Sequence, residues 1–128
     1  MLITPLYAAI FAIVLFVLSV RTLRLRRRFK VAIGPGEQPE LQRAMRVHAN
    51  FCEYVPITIL LIFFLETLAP VGWWIHSLCA ALLLGRALHA WGVSQVNENL
   101  VFRVAGMATT FTVMLSAAFG ILAMYALG

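Results

Sequence analysis

Apolar side chains run along this chain in four stretches of bilayer length, separated by three short polar or turn-forming segments. The first, from Leu2 to Val20, is almost uninterrupted. The second, Val55 to Leu68, is short until its helical pattern is followed back through Arg46 to Pro39. Pro39 and Glu40 suit the first turn of a helix, where a missing N–H costs nothing and a carboxylate complements the helix dipole. That helix would hold about 29 residues and measure roughly 43 Å, so its first two turns must stand clear of the hydrocarbon. The third stretch opens on Trp73 and Trp74, an aromatic anchor at headgroup level, and continues to about Val93. The fourth starts near Leu100 and ends close to Tyr125. Gly34-Pro35-Gly36, the turn at 69–72 and the polar segment from Ser94 to Asn99 separate the runs. The pattern predicts an all-α, integral membrane four-helix bundle: one domain over 1–128, with helices at about 2–28, 39–68, 73–93 and 100–126.

Composition agrees. Hydrophobic residues make up 62% of the chain, against roughly 45–50% in a soluble domain, and mean hydropathy is +0.93. A water-soluble chain of 128 residues could not bury so much apolar surface, so lipid must cover part of it. A pI near 10.0 raises nucleic acid as a partner. The basic residues, however, fall mostly in one loop between apolar runs, which points to the membrane surface and to no nucleic acid.

Met1 to Pro5 hold no charged side chain, whereas Arg21, Arg24, Arg26, Arg27, Arg28 and Lys30 follow the first run. That order is the reverse of a cleavable signal peptide and reads as an anchor followed by a cytoplasmic loop. The turn at 69–72 and the C-terminal tail contain no Lys or Arg, so both termini are expected outside and the first and third loops inside. Most of the Arg24–Lys30 run reads as this topogenic signal and as a contact for acidic lipid headgroups. Cys52 and Cys79 lie in apolar runs without metal-binding spacing, and are expected as small buried thiols with no metal site. His76 and Glu66 are expected as plain interfacial residues at the outer end.

Several charged side chains nevertheless fall at membrane depth, where each costs about 2.5–3.5 kcal/mol on insertion scales and marks a candidate site. Helix two carries Arg43, Arg46, Asn50 and Glu53 at spacings of three, four and three, which share a face. Helix three carries Arg86 and His89, and Arg103 opens helix four. With the inner interface near Arg46, the helix rise puts Glu53 about 10 Å deeper, and Arg86 at a similar depth on the antiparallel helix three. The expectation is a polar funnel lined by Arg46, Asn50, His89 and Arg103, closed at its floor by a Glu53–Arg86 ion pair. For that pair alone, a structural role holding two helices in register is an equal alternative. The excess of cations above it suggests an anionic ligand with several acceptors.

The stretch from Glu40 to Pro56 resembles the second-helix signature of the membrane-associated proteins in eicosanoid and glutathione metabolism, the MAPEG family. That signature is an Arg, a polar residue, an Asn and a Glu at set spacing, followed by Tyr and Pro. Arg46, His48, Asn50, Glu53, Tyr54 and Pro56 match it, and Gly85-Arg86-Ala87-Leu88-His89 is similar to the third-helix motif. Length, layout and the basic first loop agree over essentially the whole chain. The resemblance implies a small bacterial-type member in the inner membrane, assembled as a homotrimer that binds glutathione as co-substrate at subunit interfaces open to the cytoplasm. It further implies glutathione contacts at Arg46, Asn50, Glu53 and Arg86, with Arg24, His48, Tyr54 and His89 helping to position the tripeptide. Arg103 occupies the place of the Arg that stabilises the thiolate.

The chemistry of the ligand fits such a funnel. Glutathione carries two carboxylates and one ammonium, which call for several cationic donors and one acid. Its thiol, like a free Cys with pKa about 8.5, is mostly protonated at neutral pH. A guanidinium in hydrogen-bond reach lowers that value and supplies the nucleophile. The leading expectation is therefore a glutathione-dependent membrane transferase or peroxidase acting on apolar electrophiles, including lipids, that reach the cleft through the bilayer.

Three positions depart from the family pattern. Where family enzymes commonly carry a Tyr one turn beyond the His89 position, this chain has Val93. Where some carry a Ser after the catalytic Arg and a Tyr within helix four, it has Val104 and Met107. These departures motivate a second expectation, a non-catalytic lipid-binding or scaffold protein on the same fold. A third, a small multidrug-type transporter, suits four short helices, but helix one carries no acid and the basic groups suit an anion better than a cation.

Overall fold

The computed structural model describes all of residues 1–128 and contains four long helices and no strand. They are α1 (Thr4–Phe29), α2 (Pro39–Leu68), α3 (Gly72–Ser94) and α4 (Leu100–Leu127). All four are long and apolar enough to cross a bilayer. The chain threads up and down, so the 30–38 and 95–99 loops share one end of the bundle, called here the basic end. The α2–α3 turn and both termini share the other. At 30 residues, α2 outruns the hydrocarbon, which a helix of about 20 residues already spans.

Helices α2 and α3 form the centre; α1 and α4 flank them on opposite sides and do not meet. The main core joins Phe11 and Leu18 of α1 to Phe51, Val55 and Ile62 of α2, Leu78 and Leu82 of α3 and Val113 of α4. Only 26 of the 128 residues are buried in the single chain. The unburied face is apolar rather than polar, with Ile13, Phe16, Leu84, Trp91, Leu115 and Phe119 all exposed, as suits helices that face lipid.

The α3–α4 seam is set by glycine. A Cβ on Gly106 would lie 2.6 Å from the Gly85 carbonyl oxygen, and one on Gly92 would lie 2.6 Å from the Phe102 Cβ. Small residues let two backbones approach this closely where water supplies no hydrophobic drive. Within α2, Pro56 removes one N–H from the ladder without ending the helix, and two residues on the Thr58 hydroxyl donates to the Tyr54 carbonyl at 2.7 Å.

Glu66 differs from its interfacial expectation and Cys52 from its expected burial. Glu66 is 3% exposed and accepts the backbone N–H groups of Ile3, at 2.5 Å, and Thr4, at 2.9 Å. It is thus the cap of α1, delivered from α2 to a helix start whose own N-cap position, Ile3, has no side-chain cap. His76 is exposed but bonded, its Nδ1 lying 3.2 Å from the Tyr7 hydroxyl. Cys52 faces outward from α2, whereas Cys79 is buried; both are free. Replacing Glu66 by Gln is expected to lower stability by about 1–2 kcal/mol, because one charged acceptor and its helix-dipole interaction are lost. Thermal unfolding in detergent measures this, and a transition unchanged from wild type would dismiss the cap.

At the basic end, Lys30 adopts a left-handed conformation (φ 54°), and its N–H caps the Arg26 and Arg27 carbonyls. Gly34, Gly36 and Glu37 also have positive φ. Arg26 folds back to donate to the carbonyls of Gly34 and Val31, so this member of the basic run shapes its own loop.

Candidate functional site

The polar side chains of α2, α3 and α4 meet at the basic end. A cavity of about 150 Å³ is lined by Arg46, Asn50, His89, Val93, Arg103 and Met107. A wider hollow of about 450 Å³ adjoins it, shares Arg46, Val93 and Arg103, and is also lined by Pro39, Gln42, Arg43 and Val96. The inner space alone is smaller than the roughly 300–1,000 Å³ of ordinary ligand sites, and the outer one falls within that range. Helix periodicity accounts for the convergence. Arg43, Arg46 and Asn50 stack along one stripe of α2, while His89 and Val93 stand four apart on α3.

Arg86 lies behind this wall rather than in it. It is 3% exposed and does not line the polar cavity. Its Nη2 donates to Asn50 Oδ1 at 2.6 Å and meets His89 Nδ1 at 3.3 Å. Its Nη1 donates to the Thr110 hydroxyl at 3.3 Å and reaches the Met107 sulfur at 3.7 Å. The Glu53–Arg86 ion pair expected from helix depth does not form. Glu53 is exposed and makes no ion pair within the chain, and Asn50 takes the place at Arg86 that Glu53 was expected to fill. Charge and estimated depth matched, but Glu53 is offset from Asn50 by about 60° around the helix, enough for Asn50 rather than Glu53 to face Arg86.

The Arg86 bonds set the chemistry of the wall. A guanidinium only donates, so His89 Nδ1 accepts and the ring proton sits on Nε2. The Asn50 oxygen is likewise engaged, which leaves its NH₂ for other partners. With Arg46 and Arg103, every polar group lining the inner cavity is then a donor, and the wall is complementary to an anion.

The mouth of the cleft holds a group missed in the sequence. Glu98, in the α3–α4 loop, has a side chain only 6% exposed and bridges two arginines. Its Oε1 accepts from Arg103 Nη2 at 2.6 Å and from Arg43 Nη1 at 2.8 Å; its Oε2 accepts from Arg103 Nε at 2.7 Å. Arg43 Nη1 also donates to the Val93 carbonyl at 3.0 Å. Burial alone would raise the Glu98 carboxyl, but the hydrogen bonds and charges of Arg43 and Arg103 hold it below the usual carboxylate range. Its contribution to stability is therefore present above the ordinary carboxylate pKa of about 4.3 and is lost only as pH falls through the lowered value. The available signal was that Glu98 is the sole acid of a loop facing the Arg43–Arg46 stripe.

The remaining predicted residues stand apart from the cavity. His48 points toward α1, where its Nε2 lies 2.9 Å from the Ser19 hydroxyl. Tyr54 packs edge-on against Phe111 of α4, with ring centroids 5.3 Å apart. Arg24 is exposed in a separate groove with Arg21 and Glu40. Val104 faces outward, whereas Val93 and Met107 line the inner cavity.

Comparison with known proteins adds family and membrane. The model of the MAPEG family matches residues 4–123. The chain is similar to inner membrane protein YecN of Escherichia coli K12, at 36% identity over 114 residues, covering 89% of this chain and 86% of that protein. YecN of Escherichia coli O6:H1 (strain CFT073) matches to the same extent. No solved structure matches. With four apolar helices and these relatives, the chain is an integral protein of a bacterial inner membrane.

Proposed function

This chain belongs to the MAPEG family, and from that premise we propose that it binds glutathione in the basic-end cleft and either joins it through sulfur to apolar electrophiles or uses two molecules of it to reduce a hydroperoxide to an alcohol and water, leaving the disulfide. The observation that carries this reading is the convergence of Arg46, Asn50, His89 and Arg103 on one cavity whose polar lining only donates hydrogen bonds. A ligand with two carboxylates and an ionisable thiol matches such a wall. In the transfer reaction the thiol proton goes to solvent and the thiolate attacks the electrophilic carbon. A new S–C bond forms as the leaving group departs with its electron pair. Arg103, at the cavity edge, stabilises the thiolate.

The site reads as shared between subunits of a homotrimer. Glu53 is an exposed carboxylate on a membrane-spanning helix, where an unpaired charge costs about 2.5–3.5 kcal/mol. Arg24 and Arg103 line different grooves of one chain. A neighbouring copy supplies what each lacks: a partner for Glu53, and an α1 arginine brought to the open side of the cleft. The cleft then faces the cytoplasm, where glutathione is found, with both termini on the far side, an orientation that the placement of basic residues supports.

Isothermal titration of the detergent-purified protein with glutathione tests this reading. Wild type is expected to bind, and both variants to weaken binding at least about tenfold: Arg46→Ala by losing a charge-assisted contact of the cavity wall, Glu53→Ala by removing the carboxylate that the neighbouring copy meets at the shared site. No binding by wild type ends the reading. A second reading, a lipid-binding protein without thiol chemistry, is favoured by Val93 and Met107, which put no hydroxyl in the inner cavity. It predicts no thiolate absorbance when glutathione is added, and glutathione-dependent turnover of a chromogenic electrophile would dismiss it.

A further inference from the structure

Arg103 does not enter the cleft as a free guanidinium. Two of its N–H groups, on Nε and Nη2, are committed to the two oxygens of Glu98 at 2.7 and 2.6 Å. Nη1 has no partner in the chain, and the residue borders both the inner cavity and the outer hollow. The side chain is 44% exposed, so without an anchor its other rotamers would be solvated at the membrane surface. Glu98 is itself held: Arg43 of α2 donates to the same Oε1 and, through the same Nη1, to the last turn of α3 at the Val93 carbonyl. One nearly buried carboxylate thus references Arg103 to α2, α3 and α4 together.

We propose that Glu98 is a positioning residue for the thiol chemistry: its two-point grip fixes the plane of the Arg103 guanidinium so that the Nη1 edge is presented to the ligand sulfur. The inference rests on the glutathione reading and adds to it the device that orients the one group available for thiolate stabilisation. That device matters more here because Val93 and Met107 supply no hydroxyl donor beside the cavity. Two effects of Glu98 oppose each other. Its negative charge lowers the potential at the sulfur, while its grip holds the cation in place. The grip dominates, because a charge–charge interaction across a wet, half-exposed site weakens steeply with distance, and an unanchored arginine spends most of its time away from the sulfur. The charged and titratable groups facing the bound thiol are Arg46 from α2, His89 from α3 and Arg103 from α4, with the Arg43–Glu98 pair at the mouth; α1 contributes none to the cavity.

The test compares wild type, Glu98→Gln and Glu98→Asp in the full detergent-purified protein. Calorimetry measures glutathione binding, and the ultraviolet absorbance of the thiolate is followed across pH. Gln keeps the shape but presents an NH₂ to two guanidiniums and cannot accept at both points. Asp keeps the charge but is one methylene short. The expected result is a split: Glu98→Gln binds glutathione within about threefold of wild type, yet its bound thiol titrates about one unit higher, leaving about tenfold less thiolate below that pH. Glu98→Asp lies between. Either of two results overturns the proposal: a bound thiol in Glu98→Gln that titrates at or below the wild-type value, or binding and thiolate lost in parallel with the folded trimer, which makes Glu98 a strut only. Failure of wild type itself to bind glutathione is a different outcome, one that removes the functional reading and this inference with it.

Discussion

Replacing Gly106 by alanine is expected to destabilise the folded protein by about 3 kcal/mol, near the upper end for overpacking, although the change adds a single methyl. The new Cβ would lie 2.6 Å from the Gly85 carbonyl oxygen and 2.8 Å from both the backbone nitrogen and the Cβ of His89. These neighbours are backbone or backbone-anchored atoms of α3, which no rotamer change can move aside. The helices must therefore separate along the seam, and Gly92, packed on Phe102 one turn and more away, would feel the same wedge. Gly120→Ala is the matched control. Its Cβ would meet only the Leu65 side chain, nearest at 3.1 Å, and that flexible end can shift by a few tenths of an ångström. Thermal unfolding of the two variants in detergent should show a large drop for Gly106→Ala and little for Gly120→Ala. Equal effects would mean that close backbone approach does not set the α3–α4 seam. The wedge also acts on the site, because His89 and Arg86 ride on the displaced stretch of α3 and Thr110, one turn beyond Gly106, anchors Arg86.

The contrast between these glycines shows which features could be read without coordinates. The four spans were legible because bilayer thickness sets a length that each apolar run either meets or fails, and the start at Pro39 follows from helix-start chemistry. The meeting of Arg46, Asn50, His89 and Arg103 was legible for a similar reason: helical periodicity and antiparallel depth together confine them to one region. Pairings across helices were not legible. Glu53 was expected at Arg86 because charge and depth matched, but rotation about the helix axis decides contact, and Asn50 rather than Glu53 has the right azimuth. Glu66 and Glu98 were hidden for a related reason. Glu66 is bound by the α1 amides more than sixty residues away, and Glu98, beyond its near neighbour Arg103, is bound by Arg43 more than fifty residues away, partners that spacing along the chain does not reveal.

The buried cation Arg86 raises a further point about the cleft. Its partners are an amide, an imidazole, a hydroxyl and a thioether, and no carboxylate neutralises it within the chain. Uncompensated buried charge is costly, and here it stands directly behind the wall that Asn50 and His89 present to the cavity. An anion seated in that cavity is therefore attracted from the front by Arg46 and Arg103 and from behind by Arg86. The arrangement favours a ligand that carries several anionic groups over a neutral one, in line with the glutathione reading.

On the proposed glutathione reading, removing the guanidinium of Arg103 is expected to separate binding from chemistry. Arg103→Ala is expected to lower glutathione-dependent turnover of a chromogenic electrophile by about 10²–10³ at neutral pH, the usual cost of losing one oriented donor to a developing or stabilised anion. Glutathione affinity should change far less, because Arg46, Asn50 and His89 remain in place around the inner cavity. The fold should survive, since Glu98 keeps Arg43 as its partner at 2.8 Å and is not left as an unpaired buried charge. The deficit should also depend on pH. A free thiol ionises near about 8.5, so raising the pH through that range supplies thiolate to the variant without help from the protein. The gap between variant and wild type should then narrow by about tenfold, while the wild-type rate is already level. Arg103→Lys should recover little, because an ammonium cannot grip both oxygens of Glu98 and still present a second edge. Measured pH–rate profiles for the three proteins decide the matter. An Arg103→Ala enzyme with wild-type turnover, or with a deficit constant across pH, would mean that the thiol is activated elsewhere.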